Sequence, residues 1–164
     1  MNKKKIFAIA IFVLAVACCL AVASAADNNN ANNGTKRVSF DNVFSLELPQ
    51  DTTVNNRTSI NNSNIVEITY TLRSSSGHFT GRATTCTGPG LVSSAQTYVN
   101  NLLSKNATQL ENHGDWLVMN TTNIHGSSAP YNYILTMHDG SYLLTIEGNN
   151  LTQLEQFADT YQSS

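Results

Sequence analysis

Few residues in this chain have the types and spacing that catalysis or metal binding needs. Four histidines, His78, His113, His125 and His138, fall in separate loops or strand ends, not at the i and i+4 spacing that lets one helix present two ligands. His125 and His138 are the pair best placed to converge, because His125 precedes the strand that carries His138; exposed loop histidines are the plainer reading. Glu67 and Glu147 project from the polar faces of two strands and approach each other if those strands are neighbours. A glycosidase needs such a pair in a cleft with separated pKa values, whereas solvated strand-face charge needs nothing more. Cys86, in Thr84-Thr85-Cys86-Thr87, has no evident base to lower its pKa and reads as a small packed free thiol.

Most catalytic signatures are missing. The sequence holds no G-x-S-x-G elbow, no H-E-x-x-H, no C-x-x-C, no glycine-rich phosphate loop and no acidic calcium loop. No cofactor or metal is therefore expected, and the balance leans away from an enzyme. For ligand contact the candidates are Trp116, His125, Tyr131 and His138, aromatic or imidazole groups placed at strand ends and loops. Six N-x-S/T triplets follow residue 26, but its 20 asparagines and abundant Ser and Thr produce roughly five by chance, so the number itself carries no signal. Asn33, Asn56 and Asn61 lie in expected loops and are the candidate glycan acceptors, whereas Asn150 is committed to capping a helix.

The N-terminus has the three parts of a secretory signal. Lys3, Lys4 and Lys5 form a basic start, an apolar run extends from Ile6 to Val22, and Ala23-Ser24-Ala25 offers a small-residue cleavage site after Ala25. The apolar run has 17 residues, close to the lower limit for spanning a bilayer, so an uncleaved signal anchor is the alternative and the one route to a membrane. Cleavage removes three lysines and also Cys18 and Cys19. The remaining chain sets six basic residues against eleven acidic ones, a formal charge of about −5. Without a basic stripe, nucleic acid is not a partner. With Cys86 the sole remaining thiol, no disulfide forms within the chain, and an intermolecular one stays open.

Residues 26–36 form an asparagine-rich leader with nothing to bury, expected to be disordered, and residues 37–164 a single domain. Within it, Phe44, Leu46 and Leu48 alternate with polar residues up to Pro49, and Val66, Ile68, Tyr70 and Leu72 repeat the pattern. Asp51 to Asn64 reads as a long surface loop, and Phe79 to Thr85 as an antiparallel partner of the second strand. Ala95, Tyr98, Val99, Leu102 and Leu103 share one face of a helix over 94–105, started by a Ser93/Gln96 capping box. A short strand over 116–121 follows. Asp139-Gly140 reads as a type I′ turn pairing Met137 with Tyr142, Leu135 with Leu144 and Tyr133 with Ile146. A last helix after Asn150 carries Leu151, Leu154, Phe157, Ala158 and Tyr161 on one face.

The expected fold class is α+β: an antiparallel β-sheet packed by two amphipathic helices in the order strands, helix, strands, helix, preceded by the signal peptide. Phe44-Ser45-Leu46-Glu47-Leu48-Pro49 resembles the opening strand of the PsbP-like family, and the helix, hairpin and final helix follow in that family's order. The resemblance implies an extracytoplasmic accessory or binding role and brings no ligand residues with it. The sequence-level expectation is a secreted or cell-surface, non-enzymatic binding or accessory protein. Its partner would be an unknown surface protein or glycan, met through the polar face of the sheet or the loops. A surface-layer or adhesion component, with Cys86 cross-linking copies, is the alternative, and a small secreted hydrolase a third.

Overall fold

A computed structural model describes residues 34–61, 65–89, 91–124 and 130–164. The expected signal peptide with its cleavage site at Ala25, most of the expected leader, Asn33 and His125 lie outside the described residues. Ten strands and two helices are described: β1 Thr35–Phe40, β2 Phe44–Pro49, β3 Thr52–Asn61, β4 Val66–Ser74, β5 Thr80–Thr87, α1 Leu91–Ser104, β6 Thr108–Gln109, β7 Leu117–Asn120, β8 Tyr133–Asp139, β9 Tyr142–Gly148, α2 Leu151–Asp159 and β10 Gln162–Ser163. Every strand pairing is antiparallel. Seven strands form one sheet in the order β3-β4-β5-β9-β8-β7-β6, and β1-β2-β10 form a second.

This arrangement corrects the expected α+β class. The molecule is a β-rich sandwich, because the opening and closing segments build a second sheet that sequence reading did not assign. Phe40, Phe44, Leu46 and Leu48 of β1 and β2 are fully buried against Leu72, Val118, Leu135, Leu144 and Ile146 of the large sheet. α2 adds Leu154, Phe157 and Ala158 to that same core, beside the small sheet. α1 lies on the opposite face, where Val99 and Leu102 pack with Met119 and Ile134. The single-helix layers that the periodicity foresaw are therefore subordinate to sheet-on-sheet packing.

Three local expectations also change. Residues 51–64, read as a loop, contain the ten-residue edge strand β3, whose register with β4 slips between Asn55 and Thr58. Polar residues serve there because an edge strand needs backbone partners on one side and little apolar surface. The hairpin register is offset by two residues: Met137 faces Leu144, Leu135 faces Ile146 and Asp139 faces Tyr142. Gly140 alone takes positive φ, at 54°, so Gly140-Ser141 form the turn in the II′ manner and Asp139 stays in the ladder. α1 begins at Leu91, which places Ser93 inside the helix instead of at its cap. Asn150 does cap α2, its side chain accepting from the Gln153 N–H.

Glycines in the sheet mark a close approach. Gly81 and Gly148 are register partners, and a Cβ on Gly81 would sit 2.6 Å from the Phe79 ring and 2.2 Å from the Glu147 carbonyl oxygen. The Phe79 ring occupies the space that two side chains would otherwise fill, and meets Phe157 edge-on with centroids 5.0 Å apart.

Candidate ligand-binding cavity

Strand register sorts the outer face of the large sheet, the one beneath α1, into rows. One row is four threonines, Thr69, Thr84, Thr145 and Thr136, directly opposite one another across β4, β5, β9 and β8. The hydroxyls of Thr69 and Thr84 are 3.1 Å apart and those of Thr136 and Thr145 3.2 Å apart. Thr136 also donates to the Leu144 carbonyl at 3.0 Å. The next row on one side is Glu67, Cys86, Leu143 and His138, and on the other Thr71, Arg82, Glu147 and Ile134.

Between the sheet and α1 these rows leave a cavity of about 270 Å³. Its walls are Ile65, Glu67 and Thr69 of the β4 side, Arg82, Thr84 and Cys86 of β5, Leu143, Thr145 and Glu147 of β9, and Tyr98 of α1. One end is apolar, where Cys86, Leu143 and Ile65 cluster. The other end holds Arg82 and Glu147, register partners on adjacent strands. The Arg82 guanidinium is drawn onto the face of Tyr131, 5.6 Å from the ring centroid.

The cavity holds charge in a place that penalises it. Burial pushes the Glu147 carboxyl up; Arg82 pulls it back, and Glu67 adds to the rise. Burial likewise pushes the Tyr98 phenol far up, helped by Glu147 and then Glu67 and opposed by Arg82. Both carboxylates therefore act on one hydroxyl. Glu67 leans along its strand, accepting from the Thr69 hydroxyl at 3.4 Å. Burial, and then Glu67, raise the Cys86 thiol. A raised, buried thiol is neither an activated nucleophile nor a group presented to a second chain.

The two carboxylates meet on one face, as their strand positions required, but not as a hydrolytic pair. They are two strands and four residues apart, which separates their backbones by roughly 16 Å in a flat sheet. That puts them toward opposite ends of the cavity, whereas a glycosidase sets its two carboxyl groups on either side of one bond.

The other candidates do not converge. Trp116 is buried in the inner core, edge-on to Tyr161 at 5.8 Å. His138 is exposed on β8, beyond Leu143 in its row. Tyr131 is half-buried and reaches the site only by carrying the Arg82 guanidinium. Asn61 is exposed at the end of β3, and the Asn56 side chain is outside the description. A second depression, of about 340 Å³, is lined by His113, Trp116, Asp159 and Tyr161 among others. His113 Nε2 lies 2.7 Å from Asp159 Oδ1 there, with no hydroxyl or thiol aligned on the imidazole. Among the described residues no group of three or more His, Cys, Asp or Glu could hold a metal, and no helix is long and apolar enough to cross a membrane.

Sequence reasoning placed Glu67, Glu147 and Cys86 but missed Arg82, Tyr98 and the threonine row. Tyr98 carries the helical periodicity of a core residue, so its phenol gave no sign of facing a cavity. The threonines do leave a trace: Thr69, Thr84, Thr136 and Thr145 all occupy polar-face positions of alternating strands. No family model matches the chain, and no curated protein or solved structure matches it.

Proposed function

We propose that this chain is an exported, non-enzymatic binding protein of the cell exterior that holds a small ligand in the cavity beneath α1. The carrying observation is that half-buried charges of opposite sign, Arg82 against Glu67 and Glu147, line a cavity of about 270 Å³ on the outer face of the sheet. A scaffold gains nothing from gathering charged side chains around an unfilled space, whereas a binding site needs a void with a few oriented polar groups. The basic start, apolar run and Ala23-Ser24-Ala25 site support export. An extracytoplasmic binding role is also what the resemblance of the Phe44–Pro49 strand implies.

The test is the thermal unfolding of the purified protein against a panel of small cations, anions, zwitterions and sugars. A ligand at a hundred times its Kd stabilises by about 2.7 kcal/mol, a rise in Tm of several degrees for a domain of this size. At least one class should produce such a rise, and Thr84→Phe, which fills the floor of the cavity, should abolish it. A panel that leaves Tm unchanged, or shifts it equally in Thr84→Phe, rejects the cavity as a binding site.

A further inference from the structure

Resting on that reading of the cavity, we infer that its ligand is a free α-amino acid with a short aliphatic side chain. Arg82 takes the ligand's carboxylate, Glu147 takes its ammonium, and the side chain runs toward Leu143 and Cys86. The first observation is an ion pair that the fold offers and does not close. Arg82 and Glu147 face each other as register partners on β5 and β9, a relation that sets Cα atoms about 5 Å apart. Opposite charges so placed stabilise a sheet when they pair. Among the described residues the ion pairs are Arg37 with Glu47, Arg57 with Asp41 and His113 with Asp159, and none joins Arg82 to Glu147. The guanidinium is engaged instead by the Tyr131 ring, 5.6 Å from its centroid. A donor fork and a carboxylate thus line one end of the cavity, side by side and unjoined. An α-amino acid carries its ammonium and carboxylate on one carbon, so a single head answers both.

A simple anion would leave the Glu147 carboxylate unanswered, and a simple cation would add positive charge beside the guanidinium without using its donors. Burial raises the Glu147 carboxyl, and an ammonium against it offsets that penalty. The second observation concerns the floor. The Thr69 and Thr84 hydroxyls are bonded to each other, as are those of Thr136 and Thr145, so the row between the two ends makes no demand for a hydroxylated ligand. Third, the opposite end is apolar, with Cys86 and Leu143 four residues along their strands from Arg82 and Glu147 and clustered with Ile65. Four residues span roughly 13 Å of strand. A four-carbon chain is about 5 Å long, and van der Waals contact adds about 4 Å at each end, which closes that distance. Glu67 stands apart from the head, half-buried and accepting from the Thr69 hydroxyl at 3.4 Å. At about 270 Å³ the space takes a free amino acid, not a nucleotide or an oligosaccharide.

Titration calorimetry with L-norleucine, n-pentylammonium and n-hexanoate separates the classes: the second is norleucine without its carboxylate, the third norleucine without its ammonium. Norleucine should bind one to one, at least tenfold more tightly than either. Arg82→Met and Glu147→Gln, which remove a charge and keep most of the side-chain length, should each weaken it at least tenfold while circular dichroism stays native. Two independent variants keep the test valid if one of them folds poorly. Pentylammonium or hexanoate binding as tightly as norleucine overturns the amino-acid assignment. So does norleucine binding that neither variant weakens, or no binding by any of the three. The wider thermal panel judges the cavity separately: a ligand of another class whose rise in Tm is lost in Thr84→Phe keeps the cavity as the binding site while the amino-acid assignment fails. Norleucine binding that persists undiminished in Thr84→Phe overturns both.

Discussion

The two faces of the seven-stranded sheet were built from the same strands and serve opposite ends. The inner face is closed by β1, β2, β10 and α2, and its level-by-level partners are apolar: Tyr70, Ala83, Ile146, Leu135 and Val118 form one continuous row. The outer face, one residue away along each strand, carries the threonine row, Arg82 and two glutamates, and α1 covers only part of it. Period-2 alternation thus gives a single sheet a dry side that supplies stability and a polar side that lines the cavity beneath α1. Half-buried charge is tolerated on the outer face because the inner face stabilises the fold independently.

Mutations on the two faces should therefore behave differently. The largest effect belongs inside: Phe44→Ala removes a fully buried ring stacked 4.8 Å from Phe40, and should cost roughly 3–5 kcal/mol in urea unfolding. Gly81→Ala should follow at about 1–3 kcal/mol, since the added methyl meets a strand carbonyl and the Phe79 ring. Equal losses from conservative changes on the outer face, such as Thr84→Ser, would erase the distinction.

Glu147→Gln should have the opposite sign. It removes a charge that burial opposes, and should stabilise the unliganded protein at pH 7 by on the order of 1 kcal/mol. The pH dependence sharpens this. The folded-state pKa of Glu147 lies above its unfolded value, so its favourable contribution is full below about pH 4.3 and is lost as pH rises through the folded value. The gap between variant and wild type should open across that window and then level off. A gap independent of pH would mean that the charge is not the cause.

The smallest effect is expected at the sandwich edge. Asp139 accepts hydrogen bonds from the Tyr161 hydroxyl and from Ser163 Oγ at 2.6 Å, which hold its carboxyl below the usual range. This support is present above the ordinary Asp pKa and is lost as pH falls through the lowered one. Asp139→Asn should speed amide exchange in β10 while leaving global stability nearly unchanged.

Much of the inner face was legible beforehand, because burial imposes a period that composition cannot hide. Phe44, Leu46 and Leu48, and the Leu135, Leu144 and Ile146 side of the hairpin, all read inward and all are buried. The hairpin's pairing slipped by two residues yet kept its faces, since an even shift leaves the alternation intact. β3 was illegible for the converse reason: an edge strand rich in Asn, Thr and Ser carries no apolar period, and only pairing with β4 identifies it.

By itself, then, the amino-acid order determined the alternation along β2, β4, β8 and β9, the cap at Asn150, the lone thiol downstream of the apolar run and the acidic balance. Tertiary structure alone decided that the chain's two ends would form a second sheet, and that β5 would lie between β4 and β9. That strand order aligns four threonines in a row and brings Glu67, Arg82, Glu147 and Tyr98 to one cavity. The reason is physical: periodicity tells each residue which face it occupies, but which residues become neighbours on that face depends on pairings between strands far apart in sequence.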